Sequence, residues 1–329
     1  MIEGGVLDAG VVAVHDPDGE RARGFAAANG AEVVASAGEV IERCDAVWVC
    51  TPTATHRRIV EEAAGSGRAV FCEKPLATDL AEAEAMAIAV SESRIPSQVG
   101  LVLRFAPVFR QLRDLLSSRE LGPPMAAVLR DDQYFPVQGL YRSTWRGDVE
   151  QAGGGCLIEH SIHDLDILRF CLGEVVELSG TTDSLSGRRG VEDLATVSMR
   201  FECGARAEIV SIWHEILSRG STRRLEVFCQ QGMAWLDNDF SGPLHVQTGD
   251  GTEVVRCPPP PWVEELPLAH DDVGLAIRAY VEADRAFLEA LSAGSVPAPS
   301  FAEAVVAHRM VDAAYRSAAS GGNPVELEV

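Results

Sequence analysis

The segment Gly153-Gly154-Gly155-Cys156-Leu157-Ile158-Glu159-His160-Ser161-Ile162-His163-Asp164-Leu165-Asp166 gathers the residue types that do chemistry. Glycines let a backbone approach a ligand closely, and on the helix that follows them Glu159 and His163 lie one turn apart on one face. A carboxylate and an imidazole so placed bind a hydroxyl and remove its proton, because histidine titrates near neutral pH. The same residues also fit a structural reading, an acidic first helical turn favoured by the dipole and histidines satisfied by packing. Glu159, His160, His163 and Asp164 are metal-ligand types as well. No metal is expected, however: the histidines are only three residues apart, no cysteine pair completes a tetrahedral set and H-E-x-x-H is absent.

Three further candidates follow short runs patterned as buried strands. Asp16 ends the run 11–15, where a dinucleotide-binding fold uses an acid to accept hydrogen bonds from the adenosine ribose. Asp16-Pro17-Asp18-Gly19 is equally good turn chemistry. Thr51-Pro52 follows the run 46–50 and falls at the carboxyl edge of the sheet, where ligands of open α/β folds lie, or it is simply a strand-to-helix loop. Glu73-Lys74-Pro75 follows the run 69–72 and brings Lys74 to the same edge, with the proline holding the lysine backbone extended. Most lysines are solvated surface charges, but here three strand ends converge on one crevice.

The elements that must hold these residues change character along the chain. Strands at 11–15, 32–34, 46–50, 69–72 and 97–100 alternate with helices at 20–29, 36–43, 56–64 and 80–93, the pattern of parallel βαβ units in a doubly wound sheet. From Pro123 longer alternating runs joined by hairpin turns predict an antiparallel sheet, for example 193–201, the turn Glu202-Cys203-Gly204, and 205–213. One helix at 156–172 interrupts it, with Ile158, Ile162, Leu165, Leu168 and Leu172 at helical spacing and Gly173 closing it. An extended proline loop at 258–261, helices near 274–293 and 301–319, and a short strand at 325–327 complete the chain.

A chain of 329 residues, 47% hydrophobic and 23% charged, has room for two packed domains. The formal charge of −21 argues against nucleic acid or an anionic membrane as partner, since both are bound through clustered Lys and Arg. The eight cysteines show no C-x-x-C spacing, the residues after Met1 show no signal-peptide pattern, and no apolar run is long enough to span a bilayer. A cytoplasmic location is expected.

Taken together, Asp16-Pro17, Thr51-Pro52-x-x-x-His56, Glu73-Lys74-Pro75, Arg104-Phe105-x-Pro107, Gly153-Gly154-Gly155, His163-Asp164-x-Asp166 and Tyr315-Arg316-Ser317-Ala318 resemble, in order and nearly end to end, the Gfo/Idh/MocA oxidoreductases. The resemblance implies a Rossmann-type dinucleotide-binding domain at 1–120. A substrate-binding and oligomerisation α+β domain with a large, mainly antiparallel sheet would follow at 121–329. It implies hydride transfer between NAD and the hydroxyl or ketone of a sugar or an inositol-like polyol, in a homo-oligomer such as a dimer or tetramer. Lys74 would stabilise the developing alkoxide, His163 would be the general base, and Glu159, where many members have Asp, would help orient the hydroxyl. Asp16, Thr51, Pro52, His56, Glu73, Lys74 and Pro75 would line the cofactor. Arg104, Tyr134, Trp145, Arg146, Glu159, His160, His163 and His214 would face the substrate, with Gln138, Tyr141 and Trp213 as further lining. NAD is expected over NADP because Asp16 repels a 2′-phosphate, an effect that Arg21 softens.

The resemblance fails at the start. The family opens with a strand, a Gly-x-Gly-x-x-Gly loop and a helix before the strand that ends in Asp16, and Gly4-Gly5 and Gly10 do not make that fingerprint. The sequence as it stands is therefore expected to lack a central strand and the pyrophosphate turn and to bind dinucleotide poorly, the natural product beginning upstream. Two rival functions accompany this reading: a noncatalytic sugar-binding homologue without cofactor, and a metal-dependent enzyme built on the Glu159–Asp164 cluster.

Overall fold

The computed structural model describes residues 9–139, 141–238, 240, 242–258 and 272–328, with 272–276 described by backbone alone. The glycines at positions 4 and 5 and most of the proline loop lie outside the described residues.

The first third folds as β1 (Ala13–Val14), α1 (Gly19–Asn29), β2 (Glu32–Val33), α2 (Ala37–Arg43), β3 (Ala46–Val49), α3 (His56–Gly65), β4 (Ala69–Cys72), α4 (Leu80–Ser93), β5 (Ser97–Val99) and α5 (Pro107–Ser118). Side-chain caps set the helix starts: Asp18 accepts from the N–H groups of Glu20 and Arg21, Ser36 from Glu39, and Asp79 from Glu82. Gly30 ends α1 in the left-handed region at φ 67°. All strand pairs here are parallel, and among the described residues they form two sheets, β1–β2 and β3–β4–β5. Strand β4 is buried along its whole length because both faces are covered. One face packs Val70 and Cys72 against Val60 and Ala63 of α3 and Ala83 and Met86 of α4. On the other face lie Phe71 and Trp48. Two-sided burial is why these strands read as unbroken apolar runs rather than alternating ones.

The remainder is β6 (Pro124–Tyr134), α6 (Val149–Ala152), a π-helical turn (Leu157–Ser161), α7 (Ile162–Leu172), β7 (Val175–Asp183), β8 (Leu194–Phe201), β9 (Arg206–His214), β10 (Thr222–Cys229), β11 (Gly232–Leu236), β12 (Leu244–Thr248), β13 (Gly251–Val255), α8 (Asp272–Ala293), α9 (Phe301–Ala319) and β14 (Val325–Glu326). Nine strands form one sheet in the order β13-β12-β11-β10-β6-β9-β8-β7-β14. It is mixed rather than purely antiparallel: β6 and β9 run parallel, because a helical crossover and the β7–β8 hairpin intervene before the chain returns beside β6. Along β8, Ala195, Val197, Met199 and Phe201 point into the core shared with α7 and α9, and the alternate residues point out.

The last two helices fold back on the first third, across the boundary expected at residue 120. Phe287 of α8 meets Trp48 edge-on at 5.2 Å and Phe71 at 5.8 Å. Trp48 Nε1 donates to Asp284 at 2.8 Å, and Gln98 donates to the Ala283 carbonyl at 2.9 Å. Phe301, Ala304 and Val305 of α9 join the other face. Truncating Phe71 to Ala would therefore open a void on the order of 3–5 kcal/mol in cost.

Candidate active site

Two loops meet at the carboxyl ends of β3 and β4. His56 is buried between them, with Nε2 2.9 Å from the Thr51 carbonyl and Nδ1 3.1 and 3.2 Å from the carbonyls of Pro75 and Leu76. Expected against the cofactor, the imidazole instead lies between the Thr51 loop and the Lys74 loop, and its single ring N–H, kept single by burial, donates to the carbonyls of one of them. From the far side, His308 of α9 accepts from the N–H groups of Leu76 and Ala77 at 3.0 and 3.4 Å. The segment just after Lys74 is thus held through its main chain by two buried imidazoles.

The helix carrying the reactive residues departs from the expected single α-helix. Its first turn, Leu157–Ser161, is π-helical, and α-helix resumes at Ile162. A π turn breaks the regular hydrogen-bond ladder, a feature common at functional sites. Here Lys74 Nζ donates to the main-chain carbonyl of Glu159 at 2.6 Å. The Glu159 carboxylate is buried and accepts from Arg146 Nε at 2.8 Å and from Thr53 Oγ1 at 3.1 Å. Arg146 also donates to Ser143 and stacks on Trp145 at 4.6 Å. So Lys74, Thr53, Arg146 and Glu159 form one connected group.

Protonation follows from burial. His163 is buried, and desolvation pushes its imidazole well below the usual range, with the positive charges of Lys74 and Arg223 acting in the same direction. Its Nδ1 has no hydrogen-bond partner among the described residues. Burial also lowers the Lys74 ammonium, against the opposing pull of Glu159. Glu73 is pushed up to about 7 by burial, although Lys74 beside it favours the charged form. Its carboxylate lies over Gly100, where a Cβ would come within 2.8 Å of Oε2.

Several expected substrate contacts are engaged elsewhere. His160 Nδ1 lies 2.9 Å from Asp131, and its Nε2 lies 3.0 Å from Arg223 Nη2. A guanidinium only donates, so Nε2 accepts and the ring proton on Nδ1 goes to Asp131. Arg223 further binds Asp164 at 2.7 Å and Asp131 at 3.1 Å. Burial and the neighbouring Asp131 push the Asp164 carboxyl up to about 6. Arg104 makes a two-pronged pair with Asp166 and reaches Glu303, so its charge is spent inside the fold rather than on a ligand. Trp213 packs edge-on against Phe135 at 4.8 Å in the core. His214 accepts from the Ile216 N–H at 3.2 Å, with Nε2 3.5 Å from Asp132 but outside hydrogen-bond geometry. Gln138 donates to Glu215, and Tyr134 lies against Tyr141 with ring centres 5.7 Å apart. At the far strand end, Asp16 accepts from the Asp18 N–H at 2.8 Å, as its turn chemistry requires.

The triple glycine also differs from expectation. A Cβ on Gly153 would stand 2.3 Å from the Thr78 carbonyl, on Gly154 2.4 Å from the Tyr315 hydroxyl, and on Gly155 1.9 Å from the Glu192 carbonyl. The close approach is to the protein's own loops. Among the described residues no three His, Cys, Asp or Glu side chains are grouped to hold a metal. The Arg223 guanidinium lies between Asp131 and Asp164. Sequence reasoning missed Thr53, Asp131, Arg223, Glu192 and His308. Only Arg223 had a usable signal, since alternation with Leu225 and Val227 puts it on the inward face of β10.

The residues present suit a dinucleotide along this edge. Asp16 follows β1, Thr51-Pro52 follows β3 and Glu73-Lys74 follows β4, all at the carboxyl ends of parallel strands, and the buried His163 has an imidazole nitrogen without a partner among the described residues. Residues 6–101 match the model of an oxidoreductase family with an NAD-binding Rossmann fold, and residues 109–235 match the GFO/IDH/MocA C-terminal domain. The chain is 31% identical to inositol 2-dehydrogenase of Rhizobium meliloti, over 96% of this chain and 91% of that protein. It is 30% identical to D-apiose dehydrogenase of Paraburkholderia graminis, over 97% of this chain and 83% of that protein. A levoglucosan dehydrogenase solved with NADH and levoglucosan shares the fold at a TM-score of 0.86 and 22% identity, over 99% of this chain and 92% of that one. With both halves matched in order, the chain belongs to the Gfo/Idh/MocA family of NAD-binding oxidoreductases.

Proposed function

We propose that this oxidoreductase interconverts a hydroxyl and a ketone on an uncharged polyol or sugar, with His163 as general base and Lys74 as the stabiliser of the developing alkoxide. The observation that carries this reading is that Lys74 Nζ is held on the Glu159 carbonyl, one helical turn before the buried His163, whose imidazole is kept neutral by burial with the help of the lysine charge. A neutral imidazole accepts the hydroxyl proton, and an ammonium within reach stabilises the negative charge left on oxygen. NAD, held where Asp16, Thr51-Pro52 and Glu73-Lys74 follow their strands, would supply the hydride acceptor or donor. Glu159 serves by its carbonyl, which holds Lys74, and by its carboxylate, which fixes Arg146 and Thr53 at the rim. Inositol 2-dehydrogenase and D-apiose dehydrogenase, as relatives, favour a polyhydroxylated substrate.

The same reading includes a homo-oligomer in the cytoplasm. The outward face of the large sheet exposes Met125, Val128 and Phe228, apolar side chains suited to a second copy. All eight cysteines are free thiols, as in a reducing compartment. Among the described residues no helix is long and apolar enough to cross a membrane.

The test is a panel of polyols, aldoses, sugar phosphates and hydroxy acids with NAD or NADP, followed by NADH absorbance. Turnover of neutral polyols or aldoses is expected. Turnover confined to the anionic compounds would overturn the assignment.

A further inference from the structure

The helix bearing Glu159 and His163 begins without a cap from its own sequence. The first N–H groups of a helix need acceptors, ordinarily a Ser, Thr, Asp or Asn just before them. Glycine stands there instead, and the acceptors come from the loop before β8. The Glu192 carboxylate accepts from Gly155 N–H at 2.8 Å and Leu157 N–H at 2.9 Å, and the Glu192 carbonyl accepts from Cys156 N–H at 2.8 Å. Tyr315 of α9 donates its hydroxyl to the same carboxylate at 2.9 Å. Glu192 is buried. Two turns earlier on α9, His308 holds the loop that follows Lys74. One helix therefore braces both reacting segments.

This bracing bears on the chemistry because of His163. A catalytic histidine is commonly oriented by a hydrogen bond to its second nitrogen. His163 Nδ1 has no partner among the described residues, so the ring's position depends on where the helix backbone stands.

We infer that Glu192 and Tyr315 are positioning residues for the reaction, fixing the His163 helix against the Lys74 loop through the three capped N–H groups and α9. The inference rests on the assignment of Lys74 and His163 above. Neither positioning residue touches the reacting atoms. They set the separation of groups whose misplacement by about 1 Å costs on the order of a hundredfold in rate.

The test compares Glu192→Gln and Tyr315→Phe with wild type, using the fastest polyol or aldose of the panel. Both variants should lose roughly ten- to a hundredfold in kcat. KM and the calorimetric Kd for NADH should stay within a few-fold, and hydrogen exchange at amides 155–163 should quicken. Tyr315→Phe leaves all three Glu192 contacts in place and decides the matter if Glu192→Gln does not fold. A folded Tyr315→Phe with kcat within twofold of wild type would overturn the inference, as would a loss explained by the fraction unfolded. Lys74→Ala and His163→Ala run beside them: near-normal turnover there means that the underlying assignment has failed. Loss there with full activity in Tyr315→Phe means that only the positioning role has.

Discussion

Lys74 and Glu159 meet through the main chain, the ammonium of one donating to the carbonyl of the other at 2.6 Å. The acid that would be expected to pair with the lysine sends its carboxylate to Arg146 and Thr53 instead. A carbonyl in a π turn has hydrogen-bonding capacity that a regular helix would have used, and it holds the ammonium without neutralising it. On the proposed assignment, that leaves the charge of Lys74 for the substrate oxygen.

Lys74→Ala and His163→Ala are each expected to lower kcat by roughly two to four orders of magnitude while leaving NADH affinity within a few-fold, since both groups act mainly in the transition state. Steady-state kinetics with calorimetric NADH titration checks this. Normal turnover in either variant would remove that residue from the mechanism.

The pH profile offers an independent check. Burial, helped by Lys74 and Arg223, holds the His163 imidazole well below its ordinary range. A base works when deprotonated, so oxidation should stay flat through neutrality and fall only well on the acid side of the usual histidine midpoint. Removing the lysine charge in Lys74→Ala lets the imidazole rise, and the acid limb of the residual kcat/KM should move to higher pH. A limb that stays in place would mean another group titrates.

Asp16 should set cofactor choice. Its carboxylate at the end of β1 suits a ribose diol and repels a 2′-phosphate. Asp16→Ala is expected to narrow the ratio of kcat/KM for NAD over NADP by on the order of tenfold, the worth of one charge-assisted hydrogen bond. An unchanged ratio would assign discrimination elsewhere.

The sequence made the local elements readable where capping and turn residues are explicit. Ser36 and Asp79 cap their helices and Gly30 closes α1. Residues 80–93 form α4 as read. What escaped was long-range: the parallel β6–β9 pair, the return of α8 across Phe71, and the capping of one helix by Glu192 from another loop. These depend on which segments meet, and local periodicity carries no such information. The same limit explains His160 and Arg104. Their types suit a ligand, but Asp131, Arg223 and Asp166 reach them first.

Two glycines of the same chain should respond oppositely to alanine. At Gly155 the added Cβ would stand 1.9 Å from the Glu192 carbonyl and 2.5 Å from its nitrogen, backbone atoms that cannot swing away. Gly155→Ala should cost at least ~3 kcal/mol or prevent folding. Gly24, inside α1, has nothing within 4 Å of such a Cβ, and Gly24→Ala should stabilise by about 0.5–1 kcal/mol. Urea unfolding of both variants decides, and equal effects would show that the triple-glycine turn is looser than its contacts imply.

His308 should make the protein sensitive to mild acid. Its buried Nε2 accepts two N–H groups, from Leu76 and Ala77, and burial lowers the imidazole to about 4. The folded midpoint lies below the unfolded value near 6.5, so between these limits the unfolded chain binds the proton first. Stability from this group is full above about 6.5 and is lost as pH falls toward 4. Glu73 works in the opposite sense. With its folded midpoint raised to about 7, its contribution is full below the unfolded value of 4.5 and fades as pH rises through 7. That term is common to wild type and a His308 variant and cancels in their difference. His308→Gln keeps an oxygen able to accept one of the two N–H groups but does not titrate. Between pH 7.5 and pH 5, wild type should lose roughly 2 kcal/mol more unfolding free energy than His308→Gln. Urea titrations at the two pH values measure it. An equal loss in both proteins would show that His308 is not the group that senses acid.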